Sequence, residues 1–154
     1  MLTADIDTGG AACMNIPDID PVSLDCNGHR ITVSNGIVPV MVQNATAVTI
    51  TNCSLSNQYV SPQGTVTPYG LDIKNSADIA LNYNTIAGIN FYGVSRAHVS
   101  NNQIVGYYAQ YNSHNVTVSE NIITAVADEP GAAGIITLVQ NRFDFRLSKR
   151  KALL

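Results

Sequence analysis

Apolar and polar residues alternate along most of this chain in short stretches that end at asparagine, glycine or serine. In the segment from Ala77 to Asn84, for example, Ile79 and Leu81 are separated by the single small residue Ala80. A period of two predicts strands, because successive side chains of a strand face opposite sides of its sheet. Turn-forming residues at both ends of each stretch predict that the strands are short.

The same inner pattern recurs in four segments, counted here from Asn44, Asn75, Gly93 and Asn112 as position zero. Apolar residues recur at positions +4, +6 and +11, and an asparagine or a cysteine recurs at +9. The four columns are Val48, Ile79, Ala97 and Val116; Ile50, Leu81, Val99 and Val118; Cys53, Asn84, Asn102 and Asn121; and Leu55, Ile86, Ile104 and Ile123. Each segment also has an earlier stretch, commonly opened by glycine, so the pattern predicts three short strands per repeat.

Weaker copies extend the pattern at both ends. Upstream, Asp20 fits as an earlier zero, followed in the columns by Leu24, Cys26, His29 and Ile31. Downstream, Asn141 fits as a last zero, with Phe145 and Leu147; a less favoured phase places Asn141 at +9. A constant inner pattern with unequal spacing between zeros indicates stacked repeats joined by loops of variable length.

The asparagines at +9 are uncharged polar residues at positions that face inward. Repeats stacked about 4.8 Å apart would let the amides of Asn84, Asn102 and Asn121 bond to one another as a ladder and to backbone groups at the bend. His29 and Cys53 occupy the positions at which this ladder would continue. The sequence therefore predicts a ladder in the middle repeats only, with His29 pointing inward.

These repeats, with segments of the form "GI-x-I-x-x-S … N-x-I", resemble the right-handed parallel β-helix repeat family of the pectate-lyase-like superfamily. The segments DCNGHRI (25–31) and NYNTI (82–86) resemble its copper-maturation-type members. The resemblance covers about Ile16 to Leu147. It implies an all-β fold, a right-handed parallel β-helix of about six coils, with an N-terminal lead-in or partial coil at 1–15, the β-helix at 16–147 and a basic tail or end cap at 148–154. Most such proteins work outside the cytoplasm, so an extracellular or cell-surface location is expected, although the start of the chain lacks the features of an export signal.

Composition narrows the function classes. The chain has 154 residues, a net charge of −3 and only 12% charged residues, well below the usual quarter. This composition argues against long amphipathic helices and against a nucleic-acid-binding surface, and no apolar run is long enough to span a membrane. No cofactor or metal is expected, since His98 and His114 fall on different edges of the repeat. Cys13, Cys26 and Cys53 have no CxxC spacing and are interpreted as small buried apolar residues rather than as a zinc site or a required disulfide framework.

The outward positions of the first strand carry the candidate chemistry. They are Met41, Gln43, Asp72, Lys74, Asn90, Tyr92, Ala109, Tyr111, Leu138 and Gln140. Tyr92 and Tyr111 share a position in adjacent repeats, with Lys74 one repeat earlier, and the resemblance implies that polysaccharide lies along this face. Aromatic platforms beside amides suit sugars. We therefore expect ligand-binding residues at Gln43, Asp72, Lys74, Asn90, Tyr92 and Tyr111, in a groove walled by 57–70 and 124–134. The alternative is that Tyr92 and Tyr111 form an exposed cross-strand aromatic pair with no ligand. The outward row of the second strand is rich in hydroxyl groups, which predicts a solvated face there.

Catalysis has weaker support. Glycoside hydrolysis needs two carboxyl groups about 5–9.5 Å apart, and Asp72 is the only acid in the outward row, with Asp128 and Glu129 on a loop. Asp72 and Lys74 are the weak acid/base candidates, since the lyase and hydrolase motifs of the family are absent. The sequence thus favours a non-catalytic module that binds carbohydrate or acts as a surface scaffold. The alternatives are a polysaccharide lyase, hydrolase or epimerase, or a fragment of one, and a purely structural solenoid that self-associates end to end.

Overall fold

Seventeen strands form the part of the chain that the computed structural model describes, which is residues 1–8, 14–18, 20–34, 38–57, 70–126, 136–139 and 142–143. For 106–110, 124–126, 136–139 and 142–143 only the backbone is described. The strands are β1 Ile6–Asp7, β2 Met14–Ile16, β3 Val22–Asp25, β4 Arg30–Val33, β5 Val40–Gln43, β6 Thr46–Thr51, β7 Ser54–Asn57, β8 Leu71–Lys74, β9 Ala77–Asn82, β10 Thr85–Ile86, β11 Ile89–Tyr92, β12 Ser95–Ser100, β13 Gln103–Tyr111, β14 His114–Ser119, β15 Ile122–Val126, β16 Ile136–Val139 and β17 Arg142–Phe143.

The strands form three stacks, and every pairing within them is parallel. The first-strand stack is β2, β5, β8, β11 and the C-terminal part of β13. The second-strand stack is β3, β6, β9, β12, β14 and β16, and the third-strand stack is β1, β4, β7, β10, the N-terminal part of β13, β15 and β17. β13 continues from the third-strand stack into the first-strand stack, and so does β15, whose Ala125 and Val126 pair with Tyr107 and Tyr108. The predicted all-β class is confirmed for the described residues, and the arrangement is compatible with a parallel β-helix.

The predicted apolar columns of the four central repeats are confirmed by the strand register. Val48, Ile79, Ala97 and Val116 are partners across adjacent strands, as are the members of the +6 and +11 columns. All of these side chains are buried in one continuous core. Because removal of an isoleucine or leucine side chain from water stabilises a fold by about 1.5–3 kcal/mol, these columns dominate the stability of the stack.

The predicted asparagine ladder is also confirmed. Asn84 donates from Nδ2 to Oδ1 of Asn102 at 3.0 Å, and Asn102 donates in the same way to Asn121 at 3.0 Å. Each Nδ2 also donates to carbonyl oxygens of the preceding strands, such as that of Ile50. The amides therefore satisfy backbone groups that the bend leaves unpaired.

The backbone turns sharply at three positions of each of the four central repeats. Residues with positive φ recur at zero, at +3 and at +8, one residue before the ladder: Asn44, Asn75, Gly93 and Asn112; Ala47, Asp78, Arg96 and Asn115; and Asn52, Tyr83, Asn101 and Glu120. Asparagine and glycine tolerate this left-handed conformation best. Gly93 has a second constraint, since an added Cβ would lie 2.8 Å from Oδ1 of Asn75.

The predicted register of the first repeat was wrong by two residues in the second strand. Val22 pairs with Val48 and Leu24 with Ile50, so the core positions given to Leu24 and Cys26 belong to Val22 and Leu24. The reason is a longer turn, in which Asn27 and Gly28 have φ of 51° and 83° and His29 donates its N–H to the carbonyl of Cys26 at 2.8 Å. After this turn Ile31 returns to register with Leu55.

His29 does not point inward, contrary to the prediction. Its side chain is 32% exposed, and Nδ1 lies 3.1 Å from Oδ1 of Asp5. The same carboxylate accepts the backbone N–H of Arg30 at 2.9 Å. The hydrogen bond from Arg30, and then that with His29, lower the pKa of Asp5. These contacts join the first eight residues to β4.

The interpretation of Cys26 and Cys53 as small buried apolar residues missed their covalent link, since they form a disulfide. Both are buried, and their Cα atoms lie 4.7 Å apart across adjacent repeats. Closing a loop with a sequence separation of 27 stabilises a fold by about 2–4 kcal/mol. Cys13 lies outside the described residues.

The less favoured phase at the C-terminal end is the one that the strand pairing supports. Ile136 and Leu138 pair with Val116 and Val118 of the second-strand stack, so Leu138 does not belong to the first-strand row. Phe143 pairs with Ile123, two residues after the position that this phase gives to Asn141. Gln140, Asn141, Phe145, Leu147 and the tail at 148–154 lie outside the described residues. Within the described part of the chain there is no helix long and apolar enough to cross a bilayer.

Candidate functional site

The outward face of the first-strand stack brings the predicted site residues together in two columns. Met41, Asp72, Asn90 and Ala109 are register partners, and so are Gln43, Lys74, Tyr92 and Tyr111. The two columns are two residues apart along each strand. Because residues two apart face the same side of a sheet, the members of both columns are neighbours on one surface. All of the predicted site residues therefore lie within one patch, called here the first-strand face: Gln43, Asp72, Lys74, Asn90, Tyr92 and Tyr111.

Asp72 is buried although it faces outward from the sheet, with 6% of its surface exposed. Its Oδ2 forms an ion pair with Nζ of Lys74 at 2.8 Å, and its Oδ1 accepts from Nδ2 of Asn90 at 3.0 Å. Both carboxylate oxygens therefore have partners. This geometry favours a positioning role, in which Asp72 fixes the amide of Asn90 and the ammonium group of Lys74.

Asn90 has one polar atom without a partner. Its Oδ1 is buried and accepts no hydrogen bond from the residues that the structure describes. A buried acceptor of this kind costs about 1–3 kcal/mol relative to a satisfied one. The amide orientation is fixed nonetheless, because only the Nδ2 side can donate to Asp72.

The two tyrosines form the exposed part of the face. The ring centroids of Tyr92 and Tyr111 are 6.4 Å apart with an angle of 38° between the planes. Tyr92 is 47% exposed, and Tyr111 is partly buried. Tyr92 is the register partner of Lys74, whose side chain is 39% exposed. The column therefore offers aromatic surface, an ammonium group and the amide of Gln43 in a row along the stacking direction.

Two segments were expected to wall this face. Residues 58–69 and 127–135 lie outside the described residues, and they include Asp128 and Glu129. The candidate site is therefore defined by the strands alone.

The second-strand face holds a feature that sequence reasoning missed. A shallow depression of about 580 Å³ opens between Asp78, Arg96, His98, Asn115 and Thr117. Arg96 forms a two-point ion pair with Asp78, from Nε to Oδ1 at 2.7 Å and from Nη2 to Oδ2 at 2.8 Å. These hydrogen bonds lower the pKa of Asp78 and raise that of Arg96.

The sequence contained one indication of this ion pair, which is the equivalent position of its two residues. Asp78 and Arg96 both occupy position +3 of adjacent repeats. Because the residues at +3 share no chemical type, the column was not recognised in the sequence. The expectation of a bland, solvated second-strand face therefore omitted an ordered ion pair.

The chain matches no protein-family model, and a search of curated proteins found no significant match. The functional argument therefore depends on the geometry of the described residues.

Proposed function

We propose that this chain is a non-catalytic carbohydrate-binding module, built as a right-handed parallel β-helix of about six coils. The three stacks of parallel strands support the architecture. The observation that carries the function is the pair of Tyr92 and Tyr111, aligned in adjacent repeats beside Lys74.

Saccharides present apolar C–H faces and polar hydroxyl groups on the same ring. Aromatic side chains stack against the C–H faces, and amides or charged groups bond the hydroxyl groups. Tyr92 and Tyr111 would supply two stacking surfaces in successive repeats, whereas Gln43 and Lys74 would supply polar contacts along the same column. A chain of sugar units running along the stacking direction fits this order of groups.

A binding role accounts for Asp72 and Lys74 better than an enzymatic one. A general acid or base must reach the substrate with a free oxygen or nitrogen. Both oxygens of Asp72 are engaged, and the carboxylate is largely buried. In the proposal Asp72 orients Lys74, and Lys74 contacts the ligand.

The test is a glycan-array screen of the purified chain beside a Tyr92→Ala/Tyr111→Ala double variant. The matched control is His98→Ala/Thr117→Ala, a register pair on the second-strand face. A glycan signal that is retained in the control and lost in the tyrosine variant supports the proposal. A signal that survives in the tyrosine variant, or the absence of any signal, contradicts it.

The enzymatic alternative has its own test on any glycan that binds. Asp72→Asn and Lys74→Ala are compared with the unchanged chain in a turnover assay by product chromatography. The proposal expects no product from any of the three proteins. If the unchanged chain forms product and both variants do not, the chain is an enzyme and the proposal of a non-catalytic module is wrong.

A further inference from the structure

A second depression lies at the turn between the second-strand and third-strand stacks, away from the first-strand face. It has a volume of about 460 Å³ and is lined by Tyr83 and Thr85 of one repeat and by Asn27, Asn52, Cys53 and Ser54 of the repeats before it. Space is open above the neighbouring Gly28, since a Cβ added there would meet nothing within 4 Å. A ligand can therefore approach this turn from solvent.

Tyr83 is the unusual residue in this depression. Its φ of 58° lies in the left-handed region, which is costly for a bulky side chain. Adjacent repeats hold Asn52 and Asn101 at the same position, and asparagine tolerates this backbone well. Core packing does not account for tyrosine here, because its side chain is 66% exposed. Because Glu120 shares this backbone conformation, the exposed aromatic ring is what distinguishes Tyr83.

Polar groups line the depression beside Tyr83. Asn52 donates from Nδ2 to Oδ1 of Asp25 at 3.2 Å, and the same oxygen accepts the backbone N–H of Asn27 at 2.8 Å. Ser54 and Thr85 are register partners, so their side chains lie side by side on adjacent strands. The amide and the two hydroxyl groups thus line the same depression as the ring.

The base of the depression is rigid. Cys53 is covalently bonded to Cys26, and its N–H donates to Oδ1 of Asn84 at 2.9 Å. Its carbonyl oxygen accepts the N–H of Thr85 at 2.8 Å. A site with such a base loses little conformational freedom when a ligand binds.

We infer that the depression at Tyr83 is a second ligand site and that its ligand is a neutral saccharide. An exposed aromatic face beside an amide and two hydroxyl groups has the chemistry that sugar rings need. Among the described residues that line it, none carries a charge, so a uronate or a sulfated sugar would find no counter-charge there. The inference does not depend on the first-strand face, where Lys74 is charged.

The experiment is an NMR titration of the ¹⁵N-labelled full chain with methyl glycosides and trisaccharides of glucose, galactose, mannose and N-acetylglucosamine. Trigalacturonate is the anionic comparison. We expect saturable shifts at the amides of 52–54 and 83–85 with at least one neutral sugar. Tyr83→Asn should weaken that binding by about tenfold, because it removes the stacking surface.

Control variants separate binding from folding. Glu120→Asn also replaces a left-handed residue by asparagine, in another repeat. Both variants should therefore melt at the same temperature as the unchanged chain or higher. Only Tyr83→Asn should bind the sugar more weakly. Tyr83→Phe should bind within about twofold of the unchanged chain, since the ring remains. Asn52→Gly keeps the left-handed turn, removes the amide and should weaken binding.

Three results would overturn the inference. They are the absence of shifts at these amides with every neutral sugar, equal binding by Tyr83→Asn and the unchanged chain, and equal or tighter binding of trigalacturonate. Tyr92→Ala, which probes the first-strand face, should leave the shifts at 52–54 and 83–85 unchanged. The two binding proposals can therefore be confirmed or refuted separately.

Discussion

Oδ1 of Asn84 accepts the backbone N–H of Cys53 at 2.9 Å, and Cys53 is bonded through its sulfur to Cys26. The amide ladder that runs from Asn121 through Asn102 to Asn84 is thereby connected to a covalent link between the first repeats. Adjacent repeats are thus joined at this bend by a disulfide at the N-terminal end and by hydrogen bonds between buried amides further along the chain. Each holds the bend between the second-strand and third-strand stacks against the bend of the neighbouring repeat.

The middle amide of the ladder is the one whose loss should cost most. Asn102 donates to the carbonyls of Leu81 and Ser100 and to Asn121, and it accepts from Asn84. Asn102→Ala would leave several of these groups buried without partners, so we expect the free energy of unfolding in urea to fall by about 3 kcal/mol or more. The neighbouring exposed Asn101→Gly should cost far less. Similar losses for both variants would contradict the ladder as a source of stability.

Loss of the disulfide should destabilise the N-terminal repeats. Because the link closes a loop with a sequence separation of 27, reduction should lower the free energy of unfolding by about 2–4 kcal/mol. Urea titrations with and without a reductant measure this, and the double variant Cys26→Ala/Cys53→Ala should not respond to the reductant. An unchanged midpoint on reduction of the unaltered chain would refute the prediction.

Ala47 offers a stabilising substitution. It is exposed, and its φ is 57°, whereas the same +3 position holds Asn115 in a later repeat. Ala47→Asn or Ala47→Gly should raise stability by about 1 kcal/mol, since both residues tolerate the left-handed region. Thr49→Asn, on an extended part of the same strand, is the control and should give no gain in thermal denaturation. A loss of stability in both Ala47 variants would show that the left-handed backbone is not strained.

The pair of Asp78 and Arg96 predicts how stability depends on pH. Hydrogen bonds from Arg96 lower the pKa of Asp78 below its ordinary value of 3.8. A depressed carboxylate pKa in the folded state contributes stability that is present above 3.8 and lost as the pH falls through the lower folded value. The melting temperature should therefore fall mainly below about pH 4.

Asp78→Asn isolates this contribution. The variant should melt at a lower temperature than the unchanged chain at neutral pH and show a shallower fall below pH 4. Asp5 and Asp25, whose pKa values are also lowered, keep part of the acid dependence in the variant. If the melting temperatures of the two proteins fall in parallel with pH across this range, Asp78 does not contribute to the acid dependence of stability.

The central repeats could be predicted from sequence because their inward side chains are chemically constrained. Ile79, Leu81 and Ile86 must be apolar to fill the core, and Asn84 must satisfy backbone groups at the bend. Such requirements recur in the central repeats, so they appear as columns in the sequence. The same reasoning placed Tyr92 and Tyr111 at equivalent positions, which the strand register confirms.

The errors occurred where one residue type fits two environments. The turn at Asn27 and Gly28 is longer than its counterparts, and this displaced Cys26 from its true position and hid its proximity to Cys53. The segment that contains Leu138 is apolar enough for either the first or the second strand. The burial of Asp72 was not foreseen, because exposure on an outward face depends on the size of neighbouring side chains and not on strand periodicity.

The left-handed residues at zero, +3 and +8 fix where each repeat bends, whatever the length of the segments between repeats. A repeat such as that of Asn75 or that of Gly93 is therefore a self-consistent unit whose columns match those of the next one. Addition or removal of one whole unit would keep the core columns of its neighbours aligned, because the columns continue at the same positions of the next unit. Sites on the outer surface, by contrast, depend on which particular units become neighbours, so new ligand specificities can arise from reshuffling units without any change to the buried residues.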